Sequence, residues 1–394
     1  MRQYESYKDS GVEWIGKIPS HWDKCRFKNF ADLITVPSSS SRKIGLENIE
    51  SKTGRFISTE SEFDGNGVAF SINDVVYGKL RPYLQKVWLA EFEGNAVGDF
   101  FVFRSKPNCI PQYLHYLMLS DGFTSECNGA TFGAKMPRVP SNFIESLRYY
   151  LPPIMEQQAI IAYLDEKTSR IDRIIKSREE KIKLLEELKT SIISNAVTKG
   201  IKKGVEMKDS GIDWIGKIPK HWDICPLKRC LTLRNGQDYK HIETESGYPV
   251  YGSGGIFKHA SKYLYDGESV LFGRKGTIDK PLFVSGKFWT VDTMFYSIPL
   301  RDINCKYMYY QGLTIPFDRY ATATALPSMT QTDLGNHLVC RPSLEEQNEI
   351  VNYIDIRLER IRNNKKKILH EISLLKEYRA SLITEVVTGK RMVI

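Results

Sequence analysis

Cysteine is sparse in this chain, and long apolar runs are absent. Seven cysteines occur among 394 residues, an odd number with no Cys-x-x-Cys pair, which favours a reducing compartment over a disulfide framework. No uninterrupted apolar run approaches the roughly 18 residues of a membrane span, and the N-terminal segment lacks the basic-then-apolar order of a signal peptide. The sequence therefore predicts a soluble, cytoplasmic protein.

Motifs of catalytic and nucleotide-binding sites are missing as well. The glycine-rich stretch at 251–255 lacks the Gly-Lys-Ser/Thr of a P-loop and the third glycine of a dinucleotide fingerprint. The pair Pro152-Pro153 is followed by Ile154, not by the aromatic residue of an amino-methyltransferase motif. We therefore expect a non-catalytic chain that binds no cofactor of its own.

The chain carries a positive excess. Lysine and arginine total 56 against 47 aspartate and glutamate residues, a formal net charge of +9, while 41% of the residues are hydrophobic and 26% are charged. These proportions are ordinary for a globular protein, and the length accommodates two domains with sizeable cores. The positive excess favours a polyanionic partner, although many basic proteins have none.

An internal repeat organises the sequence. The segment KDSGVEWIGKIPSHWDKCRFK at 8–28 recurs as KDSGIDWIGKIPKHWDICPLK at 208–228, and LPPIMEQQAIIAYLDEKTSRID from Leu151 recurs as CRPSLEEQNEIVNYIDIRLERI from Cys340. Each half therefore consists of a leading segment, a middle of its own and a long helix, and such duplication fixes the architecture before any secondary structure is considered. The two tryptophans of each leading segment are expected to lock it onto a core.

The middle segments between the repeated blocks share little sequence. Both contain short β-branched and aromatic runs separated by glycine, proline and asparagine, such as Asp74–Gly78 and Ser269–Gly273, which is typical of strands joined by loops. Aromatic and aliphatic residues recur at helical spacing in Gln112–Leu119 and Lys306–Leu313. The middles are therefore predicted to be mixed α/β domains specialised for different targets.

The long helices show an apolar repeat of about 3.5 residues. Positions taken alternately four and three apart from Leu164 and from Ile354 are mostly apolar and are flanked by glutamate and lysine, which is typical of a coiled-coil seam. Lys189 and Arg379 interrupt the two repeats at the same position. Two such helices in one chain can pair with each other, and at 1.5 Å per residue each spans about 50–60 Å.

These features predict an α+β fold: two mixed α/β domains joined by two long antiparallel coiled-coil helices, arranged as a pseudo-two-fold internal repeat. The predicted segments are a first domain at 1–150, a first long helix at 151–200, a second domain at 201–340 and a second long helix at 341–394. Because the DNA backbone is itself two-fold symmetric, two unlike domains on such a spacer can read two unlike half-sites.

The frame WIGKIPxHW, a variable domain, a PPxxEQxxIxxY[LI]D block and a long helix, each occurring twice, resembles the specificity subunit of type I restriction-modification systems. The resemblance covers nearly the whole chain, although the second copy has Arg341-Pro342-Ser343 in place of the proline pair. It implies two target-recognition domains for a bipartite, asymmetric DNA target, two copies of a DNA methyltransferase subunit around the helices, and a recruited restriction and translocase subunit. S-adenosylmethionine, ATP and magnesium would then be bound by those partners.

Candidate DNA contacts are basic, amide and hydroxyl side chains on loops, because such side chains read base edges and bind phosphates. The first candidate is the loop 272–277, which combines two cations, a hydroxyl and glycines, and the loop 77–83 follows its strand in the equivalent place. Any of these residues could instead be exposed polar surface. The predicted contacts are Lys79, Arg81, Tyr83, Lys135 and Arg138 in the first domain and Asn235, Gln237, Tyr239, Lys240, Ser253, Arg274, Lys275 and Thr277 in the second.

A metal site is not expected. His21 and Cys25 recur as His221 and Cys225, with Cys230 nearby, but each copy offers two or three ligands where a structural zinc takes four. Packing of the histidines beside the tryptophans is the better interpretation. The main alternative function is a coiled-coil scaffold that binds other proteins, and a stand-alone nuclease or methylase is a third.

Overall fold

The computed structural model describes residues 4–12, 14–38, 40–60, 63–320 and 327–393. The chain forms two compact units, Met1–Glu179 with Leu369–Ile394, and Glu180–Ile368, which we call unit 1 and unit 2. Each unit holds one of the predicted domains together with a part of each long helix. The unit boundaries therefore lie inside the helices, whereas the sequence-based segmentation gives each helix a segment of its own.

Short strands and helices of unit 1 precede the first long helix. The strands are β1 (Tyr7–Asp9), β2 (Lys17–Pro19), β3 (Asp23–Arg26), β4 (Ala31–Ile34), β5 (Pro37–Ser38), β6 (Lys43–Ile44), β7 (Gly67–Phe70), β8 (Val75–Gly78), β9 (Val87–Leu89), β10 (Gly94–Ala96), β11 (Phe100–Ser105) and β12 (Arg148–Leu151). The helices are α1 (Pro111–Leu119), α2 (Asp121–Gly129) and α3 (Ser141–Ser146), followed by the long helix α4 (Ile154–Lys199).

Unit 2 has a similar but not identical order of elements, with no α-helix described in the place of α2. Its strands are β13 (Met207–Asp209), β14 (Lys217–Pro219), β15 (Asp223–Pro226), β16 (Leu231–Asn235), β17 (Glu243–Thr244), β18 (Tyr248–Gly252), β19 (Gly255–Ala260), β20 (Tyr265–Asp266), β21 (Ser269–Gly273), β22 (Leu282–Val284), β23 (Lys287–Thr290), β24 (Met294–Pro299) and β25 (Leu338–Arg341). Its short helices are α5 (Cys305–Gly312) and α6 (Gln331–Asn336), followed by the long helix α7 (Leu344–Val387).

Each unit contains one sheet whose strand order matches that of the other unit, and a second sheet whose strand order differs. Strands pair in the order β4-β11-β8-β9 in unit 1 and β16-β24-β21-β22 in unit 2, so equivalent strands occupy equivalent places, and we call this the shared sheet. The other sheet, which we call the outer sheet, has the order β5-β7-β10-β6 in unit 1 and β17-β19-β18-β23-β20 in unit 2. The middles therefore keep a common sheet despite their unlike sequences.

The central strands of the shared sheet are buried on both faces. In β8, Val76 packs into an apolar cluster with Phe70 and Trp88, while the Tyr77 ring lies edge-on to Phe123 of α2 with 5.7 Å between centroids. A β-branched and aromatic run without polar alternation suits a strand covered on both sides. The predicted strands are confirmed as β8 and β21, and the predicted short helices as α1 and α5.

The apolar seam predicted for α4 and α7 is confirmed. Its apolar positions are buried or half-buried in both helices, among them Leu164, Ile171 and Ile354. The two interruptions differ, because Lys189 is exposed whereas Arg379 is buried. Within the described residues no helix is both long enough and apolar enough to cross a lipid bilayer.

Ion pairs join the long helices within each unit. In unit 1, Arg379 Nε lies 3.1 Å from Asp172 Oδ1 and Arg178 Nε lies 3.0 Å from Glu371 Oε2, so residue numbers rise along α4 as they fall along α7. A lysine–glutamate pair with an N–O distance of 2.6 Å joins the same two helices in unit 2. The predicted antiparallel pairing and the α+β fold class with its internal repeat are confirmed.

A glutamate at the start of each long helix holds the leading segment. Glu156 Oε2 accepts a hydrogen bond from Trp22 Nε1 at 3.0 Å and lies 2.9 Å from His21 Nε2. Glu346 makes the same two contacts in unit 2, at 2.9 Å each. The tryptophan ring is fully buried in both units, so the expected role in fixing the leading segment is confirmed for Trp22 and Trp222. It is not confirmed for Trp214, which is 39% exposed.

The glutamine next to that glutamate is fully buried. Gln157 Oε1 accepts the Ile110 N–H at 2.8 Å, and its Nε2 donates to the carbonyl oxygens of Asn108 at 3.0 Å and Pro152 at 2.9 Å. Gln347 makes the equivalent three bonds in unit 2. One side-chain amide thus forms hydrogen bonds to the backbone of the loop before the short helix and to the backbone just before the long helix. These bonds attach the domain to the long helix.

His337 is a buried, uncharged histidine of unit 2. It follows the last residue of α6, its Nδ1 lies 2.7 Å from the Tyr320 hydroxyl, and its ring stacks on Trp214 with 5.7 Å between centroids. Burial lowers the pKa of His337 to about 4. Because this folded-state pKa lies below the ordinary value of about 6.5, the contribution to stability is complete above that value and is lost as pH falls toward 4.

Through His337 alone, we expect the free energy of unfolding to fall by about 2 kcal/mol between pH 7 and pH 5. Urea unfolding at the two pH values measures this loss. The control is His337→Leu, which installs the residue that unit 1 has in the equivalent place, Leu147. The assignment would be wrong if this variant lost as much stability as the parent protein over the same range.

Candidate nucleic-acid interface

A basic loop follows β8 at one end of the shared sheet of unit 1. The N–H of Lys79 donates to the Asp99 carbonyl at 2.9 Å, and the N–H of Arg81 donates to the Pro137 carbonyl at 2.7 Å. The loop is thereby bonded both to the residue before β11 and to the segment before α3. We call residues 79–83 the first end loop.

The loop after β21 has the same backbone bonds in unit 2. The N–H of Arg274 donates to the Thr293 carbonyl at 2.8 Å, and the N–H of Gly276 donates to the Pro327 carbonyl at 2.9 Å. These bonds match those of unit 1 one for one, so the predicted equivalence of the two positions is confirmed. We call residues 274–277 the second end loop.

The side chains of unit 1 differ in how far they are already engaged. Lys79 Nζ lies 5.3 Å from the centroid of the Phe101 ring, and Arg81 is exposed. Arg138 forms a two-point ion pair with Asp99, with Nε–Oδ1 at 2.8 Å and Nη2–Oδ2 at 2.9 Å, and hydrogen bonding from Arg138 lowers the pKa of that carboxyl. Arg138 is therefore a weaker candidate for a DNA contact than Lys79 or Arg81.

The remaining candidates of unit 1 are exposed. Tyr83 lies on the 3-10 turn Pro82–Leu84 with 47% of its surface accessible, and Lys135 lies in the connection between α2 and α3. That connection returns to the first end loop through a β-bridge. It also exposes Phe132 and Met136, two apolar side chains beside the loop that the sequence pattern does not single out.

Arg274, Lys275 and Thr277 of the second end loop are all exposed. The Arg274 guanidinium carbon lies 6.0 Å from the centroid of the Phe295 ring. A Cβ added at Gly273 would collide with the Thr277 carbonyl, so the tight return of this loop requires the glycine before it. Gly273 therefore serves the close approach of backbone to backbone.

Asn235 and Gln237 lie at the same sheet end as the second end loop. Asn235 ends β16 and pairs with Phe295 of β24, which in turn pairs with Phe272, two residues before the loop. Gln237 is exposed, and its N–H donates to the Thr290 carbonyl at 2.9 Å. The structure thus brings together candidates that are about 40 residues apart in sequence.

The other three candidates of unit 2 lie on or beside the outer sheet. The half-buried Tyr239 ring packs edge-on against Phe257 with 5.3 Å between centroids, and Lys240 is exposed in the turn before β17. Ser253 is half-buried between β18 and β19, where the predicted tight turn is confirmed as a hairpin. These three therefore do not share the strand ends that carry the second end loop.

The histidines and cysteines of the leading segments form no metal centre within the described residues, where no cluster of three or more His, Cys, Asp or Glu side chains is placed to hold an ion. His21 contacts a glutamate carboxylate as described above, and His221 does the same. The Sγ atoms of Cys225 and Cys230 are buried and 3.5 Å apart. All seven cysteines are free thiols.

Two solved structures have the same fold. A chain from a study of complex assembly and conformational transition of the type I R-M system superposes with a TM-score of 0.76 at 18% identity, covering 94% of this chain and 98% of that one. The HsdS subunit from Thermoanaerobacter tengcongensis superposes with a TM-score of 0.57 at 18% identity, covering 95% and 98%. At this identity the likeness defines the fold class: two mixed domains with two long helices.

The family follows from the sequence match. A model of the type I restriction modification DNA specificity domain matches residues 32–184 and again residues 219–374. The two matches together span well over half of the chain, and the chain belongs to this family. The duplicated match also reproduces the internal repeat found in the sequence.

Curated relatives carry the same designation. The chain is 26% identical over 192 residues to the type I restriction enzyme EcoDI specificity subunit of Escherichia coli, covering 46% of this chain and 43% of that protein. It is 23% identical over 241 residues to the type I restriction enzyme MjaVIII specificity subunit of Methanocaldococcus jannaschii, covering 58% and 53%. The chain thus spans about half the length of the curated relatives it matches.

Proposed function

We propose that this chain is the non-catalytic, DNA-reading specificity subunit of a type I restriction-modification complex. It binds double-stranded DNA at a bipartite, asymmetric target, with one half-site read by the domain of unit 1 and the other by the domain of unit 2. It directs methyltransferase and restriction subunits to that target. Family membership supports the assignment as a specificity subunit, and the two end loops support the assignment of one half-site to each unit.

The observation that carries the proposal is one backbone framework with two sets of side chains. Both end loops leave the same strand of the shared sheet and make the same backbone hydrogen bonds. The first presents Lys79, Arg81 and Tyr83, and the second presents Arg274 and Lys275. A common framework docks two domains in a common way, while unlike side chains read unlike bases.

We rank the contact candidates by their place in the fold and by whether the side chain already has a partner within the protein. First come the exposed or half-buried residues at the ends of the shared sheets, where Arg274 and Lys275 add two cations. Next come the residues whose side chains are held by an ion pair or a ring contact within the protein, and the residues that lie on other loops. The first group is Lys79, Arg81, Tyr83, Asn235, Gln237, Arg274, Lys275 and Thr277, and the second is Lys135, Arg138, Tyr239, Lys240 and Ser253.

The partners that we propose are two copies of a DNA methyltransferase subunit, joined by a restriction and translocase subunit. Leu184 and Leu188 of α4 are 62% and 48% exposed, and Leu374 and Tyr378 of α7 are 51% and 50% exposed. Each pair is four residues apart and so lies on one helix face, and the two pairs occupy the same place in the repeat. An exposed apolar pair that occurs twice suits one kind of protein partner bound twice.

Cofactors and location follow from the same proposal. S-adenosylmethionine, ATP and magnesium are bound by the partner subunits, and the chain itself performs no chemistry. The complex resides in the cytoplasm, where the free thiols of this chain remain reduced. In this proposal the first and second domains read the target, and the first and second long helices are the spacers.

The test is selection of DNA by the purified full chain, alone and together with the subunits that co-purify with it. The probe is a double-stranded library with a randomised central segment. We expect the retained duplexes to share two short, unlike blocks of bases at a fixed separation, because two different end loops contact them. A methyltransferase is expected among the co-purifying proteins.

Other outcomes contradict the proposal in different ways. Retention of protein partners without any shared DNA sequence would favour a protein-binding scaffold. A single palindromic block would contradict two unlike readers. Cleavage or methyl transfer by the chain alone, with magnesium ions and S-adenosylmethionine, would contradict a non-catalytic role.

A further inference from the structure

Arg379 occupies a seam position of α7 yet reaches into the domain of unit 1. It is 7% exposed, and its Nε donates to Asp172 Oδ1 at 3.1 Å, while Nη1 and Nη2 donate to the carbonyl oxygens of Lys52 at 3.1 Å and Thr53 at 3.3 Å. Asp172 also pairs with Arg55, with 2.6 Å between Nη2 and Oδ2. An arginine of the helix thus binds a turn of the domain, with each of its three guanidinium nitrogens donating one hydrogen bond.

The turn that Arg379 holds is bonded to the first end loop. The N–H of Lys52 donates to the carbonyl of Gln85 at 3.1 Å. Gln85 in turn closes the 3-10 turn that follows Arg81 and carries Tyr83, because its own N–H is bonded at 2.8 Å to the carbonyl of the first residue of that turn. Three hydrogen bonds in series therefore lead from the guanidinium through Lys52 and Gln85 to Pro82, the first residue of the turn that carries Tyr83.

Backbone conformation along this path is unfavourable for side-chain-bearing residues. Lys52 has φ +68°, Arg81 has φ +51° and Gln85 has φ +49°, and these are three of the five non-glycine residues with positive φ in the described part of the chain. Such conformations persist where surrounding bonds over-determine them, and they cluster at functional sites. In the second end loop the place of Arg81 is taken by Gly276, with φ +81°, and glycine needs no such support.

The matching seam position of α4 is different. Lys189 is exposed and forms an ion pair with Glu186 of its own helix at 3.7 Å. The two interruptions of the apolar repeat, alike in the sequence, are therefore unlike in the structure. Only the unit whose end loop places an arginine in the left-handed region has the seam cation buried against the domain.

We infer that Arg379 is a positioning residue for DNA reading by the first domain. Through Lys52 and Gln85 it holds the first end loop in the conformation that presents Arg81 and Tyr83. The DNA part of this inference rests on the proposed function, whereas the positioning part rests on the contacts within unit 1 alone. The two parts are therefore tested by separate measurements on the same variants.

The positioning part is tested by amide hydrogen exchange on the full chain. Arg379→Leu removes the guanidinium and installs a residue that coiled-coil seams favour, and Lys189→Leu makes the matched change at the equivalent position. We expect exchange in residues 50–56 and 80–86 to become about ten-fold faster in the first variant and to stay unchanged in the second. Unchanged exchange in Arg379→Leu would overturn the inference.

A conservative variant keeps the test decisive if Arg379→Leu does not fold. Arg379→Lys retains one charge but lacks the planar fork that reaches a carboxylate and two carbonyls together. We expect faster exchange in residues 50–56 and 80–86 and unchanged exchange elsewhere in unit 1. Acceleration spread evenly over unit 1 would show a general loss of stability and overturn the positioning role.

The DNA part is tested by selection from the randomised duplex library. With Arg379→Leu we expect base preference to fall about ten-fold in one block and to persist in the other, whereas Lys189→Leu keeps both blocks. Equal loss in both blocks, or none while exchange is faster, would overturn the role in DNA reading. If the unaltered chain selects no bipartite sequence, the proposed function fails, and the exchange experiment alone decides whether Arg379 positions the loop.

Discussion

Gln157→Leu is expected to lower the free energy of unfolding by about 3–5 kcal/mol and the thermal midpoint by on the order of 10 °C. Leucine matches glutamine in bulk but can neither accept the Ile110 N–H nor donate to the carbonyl oxygens of Asn108 and Pro152. Each buried polar group left without a partner costs about 1–3 kcal/mol. Scanning calorimetry and urea unfolding of the full chain measure the loss.

The neighbouring residue supplies a matched control. Gln158 lies on the same helix one residue further on and is exposed, so Gln158→Leu is expected to change stability by no more than about 0.5 kcal/mol. Gln347→Leu repeats the experiment in unit 2, where the same three bonds are present. Similar small effects from all three variants would show that the buried amide does not tie domain to helix.

The repeated Glu-Gln block illustrates what the sequence can and cannot reveal. Its duplication at a constant place in the two halves identifies it as part of a common frame. The roles of the two residues depend on partners far away in sequence: Trp22 lies 134 residues from Glu156, and the Asn108 carbonyl lies 49 residues from Gln157. Spacing along one chain carries no signal of such contacts, so only the structure separates the two roles.

Periodicity predicts the long helices because their pairing depends on local spacing. A repeat of about 3.5 residues requires that the apolar positions face a partner, whichever partner it is. The same argument cannot distinguish Lys189 from Arg379, since both are long cations at one seam position. The difference arises from a turn near Lys52 that packs against one of them in unit 1, and that turn belongs to a middle segment that shares little sequence with its counterpart.

Composition and position after a strand, both of which are local features, predict the end loops. Composition does not show whether a side chain is already bound to another residue of the protein. Arg138 resembles Arg81 as a cation near glycine, yet the Asp99 carboxylate already binds it at two points. The common bonding of the loops to Pro137 and Pro327 also lies beyond the sequence, because these segments follow their strands by more than 50 residues.

Arg274→Ala combined with Lys275→Ala is expected to weaken DNA binding by the full chain by about 10- to 100-fold near 0.1 M salt. Both side chains are exposed on one end loop, and each phosphate contact removed should lower the slope of log affinity against log salt by about 0.9. Where a base contact is removed, the loss is accompanied by relaxed base choice in one block. Anisotropy titration of the selected duplex at several salt concentrations measures both quantities.

A control with the same change in charge decides whether place or net charge is responsible. Arg229 and Arg301 are exposed at the opposite end of the shared sheet, beyond the pairing of Leu231 with Pro299. Replacing both by alanine removes two positive charges from unit 2 without touching the second end loop. If affinity followed net charge, the two double variants would lose it equally, and the end loop would have no special part in binding. A contact-specific role requires that the Arg274 and Lys275 variant lose far more DNA affinity than the control variant. Its altered base choice should also stay within one block of the target, because the first end loop still presents its own side chains to the other block.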